Sequence, residues 1–205
     1  MEKESRKIVG NPALLLVDPQ KGIYKAPGGY AEGEVEASVA ALGRVLKAAR
    51  EAGMPVIFFQ EIHRKEMVDY GRELDGTENI HCLEGSEYID IIDSLQPVDG
   101  EFTNMKRRYS CFFGTDLDIL LRGLNVQTLI MGGYYTDVCV HYTAVDAHQH
   151  DYYIRVLHDG CLGSSNEAHQ ASLNAMTYLQ HASRTNSDEM VPVIEAWGQA
   201  RKASV

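Results

Sequence analysis

The chain has 205 residues, 44% hydrophobic and 23% charged, ordinary usage that excludes a disordered, collagen-like or disulfide-scaffold protein and predicts one domain over residues 1–205. Nineteen Lys and Arg against 29 Asp and Glu leave a net charge of −10, which repels phosphate backbones and anionic bilayers and argues against nucleic acid or membrane partners. The four cysteines are scattered without a Cys-x-x-Cys pair, so neither a zinc cluster nor a disulfide framework is signalled.

Met1–Gly10 is polar and charged rather than a signal sequence, and no apolar run approaches bilayer-spanning length, so a cytoplasmic location is expected. Ala13–Val17 is a continuous apolar run halted by Asp18-Pro19, the pattern of a strand covered on both faces. Val35, Val39, Leu42, Leu46 and Ala49 recur at helical spacing until Gly53 and Pro55 stop them. Pro55–Phe59 reads as the second strand, and the aperiodic stretch Glu61–Glu84 as a long loop. Tyr88–Leu95 predicts a short helix, Glu101–Met105 a weaker third strand, and Thr115–Gly123 a helix opened by a hydroxyl cap and first-turn acids.

Gln127–Met131 predicts the fourth strand, followed by Gly132-Gly133 and a helix from about Asp137 to His150. Tyr153–Leu157 predicts the fifth strand, Glu167–Leu179 a helix and Ala182–Thr185 a sixth strand. Strands alternating with helices predict an α/β fold, a three-layer α/β/α sandwich around a central, mainly parallel six-stranded sheet. Reactive groups in such sheets lie beyond the carboxyl ends of the strands, which singles out Asp18, Lys106 and the residues after Met131.

Cys139 falls in the expected first turn of the helix after strand four, where the helix dipole and free N–H groups favour a thiolate and can receive an oxyanion. The plain alternative is a buried, inert cysteine. Asp18 suits a proton acceptor, or merely caps a turn before Pro19. Lys106 suits an electrostatic partner, or is a solvated surface charge. At three neighbouring strand ends, the three together compose a nucleophile, a proton carrier and a cation.

Three blocks then match a family: Leu15-Leu16-Val17-Asp18-Pro19-Gln20, Lys106 through Leu117 (KRRYSCFFGTDL), and Gly133-Tyr134-Tyr135-Thr136-Asp137-Val138-Cys139-Val140. On these the chain resembles the isochorismatase-like cysteine hydrolases from about Asn11 to Met190. The resemblance implies an Asp18–Lys106–Cys139 triad, a cis peptide at Tyr134-Tyr135, and an oxyanion hole from the N–H groups of Tyr135 and Cys139. It implies hydrolysis of a small linear amide or N-carbamoyl (ureido) compound through a thioacyl-enzyme. Isochorismatase and nicotinamidase chemistry are the alternatives, and a catalytically silent binding protein is the non-enzyme one.

Gln20, Tyr134, Tyr135, His63 and Arg107 or Arg108 are the expected substrate contacts, with Arg72, Glu73 and Asp75 at the pocket mouth. Some members, chiefly nicotinamidases, bind a metal through an Asp-x-His pair and a further His. Here Glu61 and His63 supply only a pair, with His81 far along the loop, so no metal and no cofactor are expected. His141, His148 and His150 lack ligand spacing, and Cys111 and Cys161 read as packing residues. A small-molecule substrate and a homo-oligomer, dimer or tetramer, are the partners the resemblance implies.

Overall fold

Alternate residues of the first apolar run feed two separate cores: Ala13, Leu15 and Val17 face one, Leu14 and Leu16 the other. This is what a strand buried on both sides requires. The computed structural model describes residues 8–25, 30, 31 and 33–203, so most of the Met1–Gly10 segment discussed above lies outside the described residues. The strands are β1 (Asn11–Val17), β2 (Val56–Glu61), β3 (Phe102–Lys106), β4 (Val126–Tyr134), β5 (Tyr153–Leu162) and β6 (Arg184–Thr185). They form one sheet of order β3-β2-β1-β4-β5-β6, parallel at every pairing.

Helices α1 (Glu34–Ala52) and α5 (Ser187–Lys202) cover the face of Leu14 and Leu16. The opposite face carries α2 (Leu117–Gly123), α3 (His141–Gln149) and α4 (Asn166–Leu179). The α/β/α sandwich anticipated from the sequence is therefore present. The strand order reverses direction between β1 and β4, which opens a crevice at their carboxyl ends. Among the described residues, no helix is long and apolar enough to cross a membrane.

Several elements depart from the sequence reading for identifiable reasons. Tyr88–Leu95 forms two 3₁₀ turns, Glu87–Ile89 and Asp93–Leu95, instead of one helix. The residues between them are drawn straight by the chain leaving β1: Lys21 N–H donates to Asp90 O, and Ile92 N–H to Pro19 O. Strand β4 runs on through Gly132-Gly133, because a Cβ on Gly133 would lie 1.8 Å from Val17 O. Only glycine lets β1 and β4 approach so closely, and Gly133 also holds φ +138°. Helix α5 escapes the sequence reading because Pro192 and Gly198 interrupt its periodicity. Gly198 is there for packing, since a Cβ would meet that of Ala52 on α1 at 2.6 Å.

Candidate functional site

The crevice collects three strand ends. Asp18 immediately follows β1 in a left-handed conformation (φ 49°), with its N–H bonded to Phe59 O at 3.0 Å. Lys106 closes β3, in register with Glu61 at the end of β2, so both side chains reach the same place. Cys139 sits not in an α-helical first turn but in a single π turn, Thr136–Val140, that precedes α3. The wide turn closes with Val140 N–H donating to Tyr135 O, five residues back.

Lys106 Nζ is the hub. It lies 2.8 Å from Asp18 Oδ2, 2.5 Å from Glu61 Oε2 and 3.2 Å from Cys139 Sγ. Glu61 Oε2 is also 3.2 Å from Cys139 Sγ. All four side chains are buried. Burial pushes the Asp18 carboxyl up to about 6; Lys106 opposes the rise and Glu61 adds to it. Burial works against the Lys106 ammonium too, yet Asp18, Cys139 and Glu61 hold it well above its ordinary value. Glu61 is held well below the usual carboxylate range, because Lys106, His63 and His81 together outweigh its burial.

The Cys139 thiol is pushed well up by burial and by the two carboxylates, with Lys106 opposing. Burial thus opposes the thiolate that the turn after β4 favours, and the Lys106 ammonium supports it.

The second oxygen of Glu61 faces a different cluster. Oε1 lies 3.3 Å from His63 Nε2 and 3.2 Å from His81 Nε2. Glu73 Oε2 lies 3.2 Å from His63 Nε2 and 3.9 Å from His81 Nε2. His81 is remote in sequence but folds back, because His63 N–H donates to Cys82 O and Glu84 N–H to His63 O. Tyr70 stacks on the His63 ring at 3.9 Å, donates from its hydroxyl to His81 O and accepts from His81 N–H. The pair expected from the sequence thus becomes a set of four: one donor atom each from Glu61, His63, Glu73 and His81 lies within 4.8 Å of the others. Glu73 is buried, and neither oxygen accepts a hydrogen bond of good geometry. An orphaned buried carboxylate beside two imidazoles fits a divalent cation.

The expected substrate contacts fare unevenly. The buried carboxamide of Gln20 is engaged with backbone: Nε2 donates to Glu61 O and Ile89 O, and Oε1 accepts from Glu61 N–H, which fixes the end of β2. His63 is fully buried within the four-residue cluster. Arg107 donates to Ile62 O and pairs with Asp69 and Glu84. Arg108 donates to Asp69 O and Arg107 O. These arginines brace the loop rather than stand ready for a carboxylate.

Tyr134 is buried, its hydroxyl 3.1 Å from Ser38 Oγ on α1. Tyr135 is half-buried, and burial, followed by Glu78 and Asp137, pushes its phenol up to about 12. The Tyr134-Tyr135 peptide is cis. Arg72 and Asp75 pair with each other at the surface. Cys111 and Cys161 are buried packing residues. His141 contacts Ser172, His148 contacts Gln180 and His150 stacks on Phe112, each away from the others' partners.

Sequence reasoning missed Glu61 as a neighbour of the sulfur, and Glu73 and His81 as members of its second cluster. The only available signal was Glu61-x-His63 at the end of a strand.

The sequence model of the isochorismatase domain matches residues 12–187. The ureidoacrylate amidohydrolase RutB of Serratia proteamaculans is 33% identical over 201 residues, covering 85% of this chain and 80% of that protein. A cysteine hydrolase from Pseudomonas syringae superposes with a TM-score of 0.83 at 26% identity, over 94% of this chain and 97% of that one. N-carbamoylsarcosine amidase from Thermoplasma acidophilum superposes with a TM-score of 0.74 at 27% identity, over 87% and 98% respectively.

Proposed function

Because the chain belongs to the isochorismatase domain family, we propose that it is a cysteine amidohydrolase that cleaves the C–N bond of a small linear amide or ureido compound. The observation that carries this reading is the Lys106 ammonium standing 3.2 Å from Cys139 Sγ and 2.8 Å from Asp18. The names of its relatives, ureidoacrylate amidohydrolase and N-carbamoylsarcosine amidase, support the ureido preference.

Cys139 Sγ attacks the carbonyl carbon while its proton passes to Asp18. The carbonyl π pair moves onto oxygen, which the N–H groups of Tyr135 and Cys139 receive. Two carboxylates compete for the thiol proton, and their surroundings choose between them. Glu61 is the poorer acceptor, held ionised by Lys106 and two histidines. Asp18, raised to about 6, is the acceptor suited to neutral pH.

Collapse of the tetrahedral intermediate breaks the C–N bond, and Asp18 returns its proton to the departing nitrogen. Water then attacks the thioester, losing a proton to Asp18. The C–S bond breaks and the sulfur takes that proton back. Lys106 holds positive charge beside sulfur and both carboxylates throughout. A divalent cation at Glu61, His63, Glu73 and His81 would add positive charge on the far oxygen of Glu61, which further disfavours that carboxylate as a base.

Replacing Cys139 by Ala is expected to lower turnover by about a thousandfold or more while far-UV ellipticity is unchanged. The assay is ammonia release from a panel of linear amides, ureido acids and nicotinamide. A fully active Cys139→Ala protein refutes the mechanism, and turnover confined to nicotinamide refutes the ureido preference.

A further inference from the structure

An α-helix would commit the N–H of Cys139 to the carbonyl four residues back, that of Tyr135. The π turn does otherwise. Tyr135 O accepts from Val138 N–H at 3.2 Å and from Val140 N–H at 3.1 Å, and Cys139 N–H, between them in sequence, does not bond to it. The wider register thus withholds from its α-helical partner one of the two N–H groups that the proposed hydrolysis uses for the oxyanion. A π turn is rare because the α form of the same residues competes with it, so contacts outside the turn must hold it.

We propose that His169 is a positioning residue that, through its bond to Thr136, holds this turn in the π register and keeps the Cys139 N–H available to an oxyanion; the role rests on Cys139 being the nucleophile.

His169 is the fourth residue of α4, and its Nδ1 lies 2.7 Å from the Oγ1 of Thr136, which opens the turn. Thr136 is fully buried. A buried hydroxyl without a partner is costly, and His169 is the partner the described residues give it. One residue turns a helix by about 100°, so relaxing to the α register would swing Thr136 relative to α3. The bond to α4 resists that swing.

Two other contacts brace the turn without replacing this one. Asp137 accepts from Ser164 N–H at 2.7 Å and from Ser164 Oγ at 2.5 Å, bonds that lie exposed to water. Thr143 Oγ1 donates to Cys139 O at 2.7 Å, but Thr143 belongs to α3 and moves with it. His169 alone of the three ties the buried start of the turn to a separate helix. Its effect is one of geometry, not charge: burial, helped by His158 and Arg184 and opposed by Asp137, holds the ring below its ordinary value, so it is neutral at neutral pH.

Two reactions of Cys139 separate this role from a merely structural one. Acylation by p-nitrophenyl acetate joins sulfur to the acetyl carbon, passes through a tetrahedral oxyanion and expels p-nitrophenolate. Alkylation by iodoacetamide displaces iodide at a saturated carbon and forms no oxyanion. His169→Leu is expected to slow the p-nitrophenolate burst that depends on Cys139 by about 10–100-fold, and to leave alkylation of Cys139, read by mass, within about twofold of wild type. His169→Asn, which puts a hydrogen-bonding atom where Nδ1 sits, should restore the burst to within about threefold. Thr136→Val breaks the same bond from its other end while keeping the shape, and should split the two reactions as His169→Leu does; it decides the matter if His169→Leu does not fold.

Four results overturn the proposal: no burst from the wild-type protein, a wild-type burst in His169→Leu, equal slowing of both reactions, or an Asn variant as slow as the Leu one. Neither probe is an amide. An intact burst with no turnover of any amide would therefore refute the hydrolytic reading and leave the role of His169 standing.

Discussion

Asp18 and Glu61 are buried carboxylates on either side of one ammonium, and their surroundings push them in opposite directions. Asp18 has Lys106 but also the field of Glu61, so burial prevails and its carboxyl rises to about 6. Glu61 has Lys106 and two imidazoles, so ionisation prevails. Carboxylates separated in this way take different roles. As Asp18 accepts a proton only when ionised, kcat/KM should fall as pH drops through about 6. A pH profile from mildly acidic to neutral buffer tests this, and an acid limb near the ordinary carboxylate value of about 4 would exclude Asp18 as the base.

At this scale the sequence was readable where chemistry sits at strand ends. Asp18, Lys106 and Cys139 stood out because β1, β3 and β4 end beside them. His81 and Glu73 did not, because a loop without periodicity carries them. They are brought in by the stack of Tyr70 on His63 and by backbone pairing of His63 with Cys82 and Glu84.

The contact of β1 with β4 is the tightest demand at the level of elements. Gly133→Ala would force a Cβ to within 1.8 Å of Val17 O at a φ that L-residues avoid. The expected cost exceeds about 3 kcal/mol, read as a fall in denaturant midpoint or as loss of folded protein. Gly123→Ala, at the end of α2 with no atom within 4 Å of the new Cβ, should change stability by no more than about 1 kcal/mol in either direction. Equal effects at the two positions would show that the close approach is not what Gly133 serves.

Elements were legible from the sequence where one period ran unbroken, as in β1 and α1. They were obscured where packing demanded residues that spoil a pattern. The glycine pair truncated the reading of β4, and Pro192 with Gly198 hid α5. The segment Tyr88–Leu95 had helical spacing but is governed by pairing with residues 19–21, a long-range contact that no local period reveals.

For the whole molecule, a net charge of −10 sets the field that a substrate meets. Arg107 and Arg108 do not offset it, since both are engaged by the loop. An anionic ureido acid should therefore react faster as salt is added, with kcat/KM rising between low ionic strength and about 0.15 M, where the screening length is about 8 Å. A neutral amide should show little change. Parallel assays of the two at both ionic strengths test the difference, and identical salt responses would refute it.

The central pairing joins Leu14 to Ile130, so the two middle strands come from opposite halves of the chain. Joining them requires closing a very long loop, whose entropy is lost before any compensating contact forms. During renaturation, helical ellipticity should therefore recover ahead of turnover. Protein caught between those two signals would have much of its secondary structure and none of its chemistry, since Asp18 and Cys139 would not yet have met.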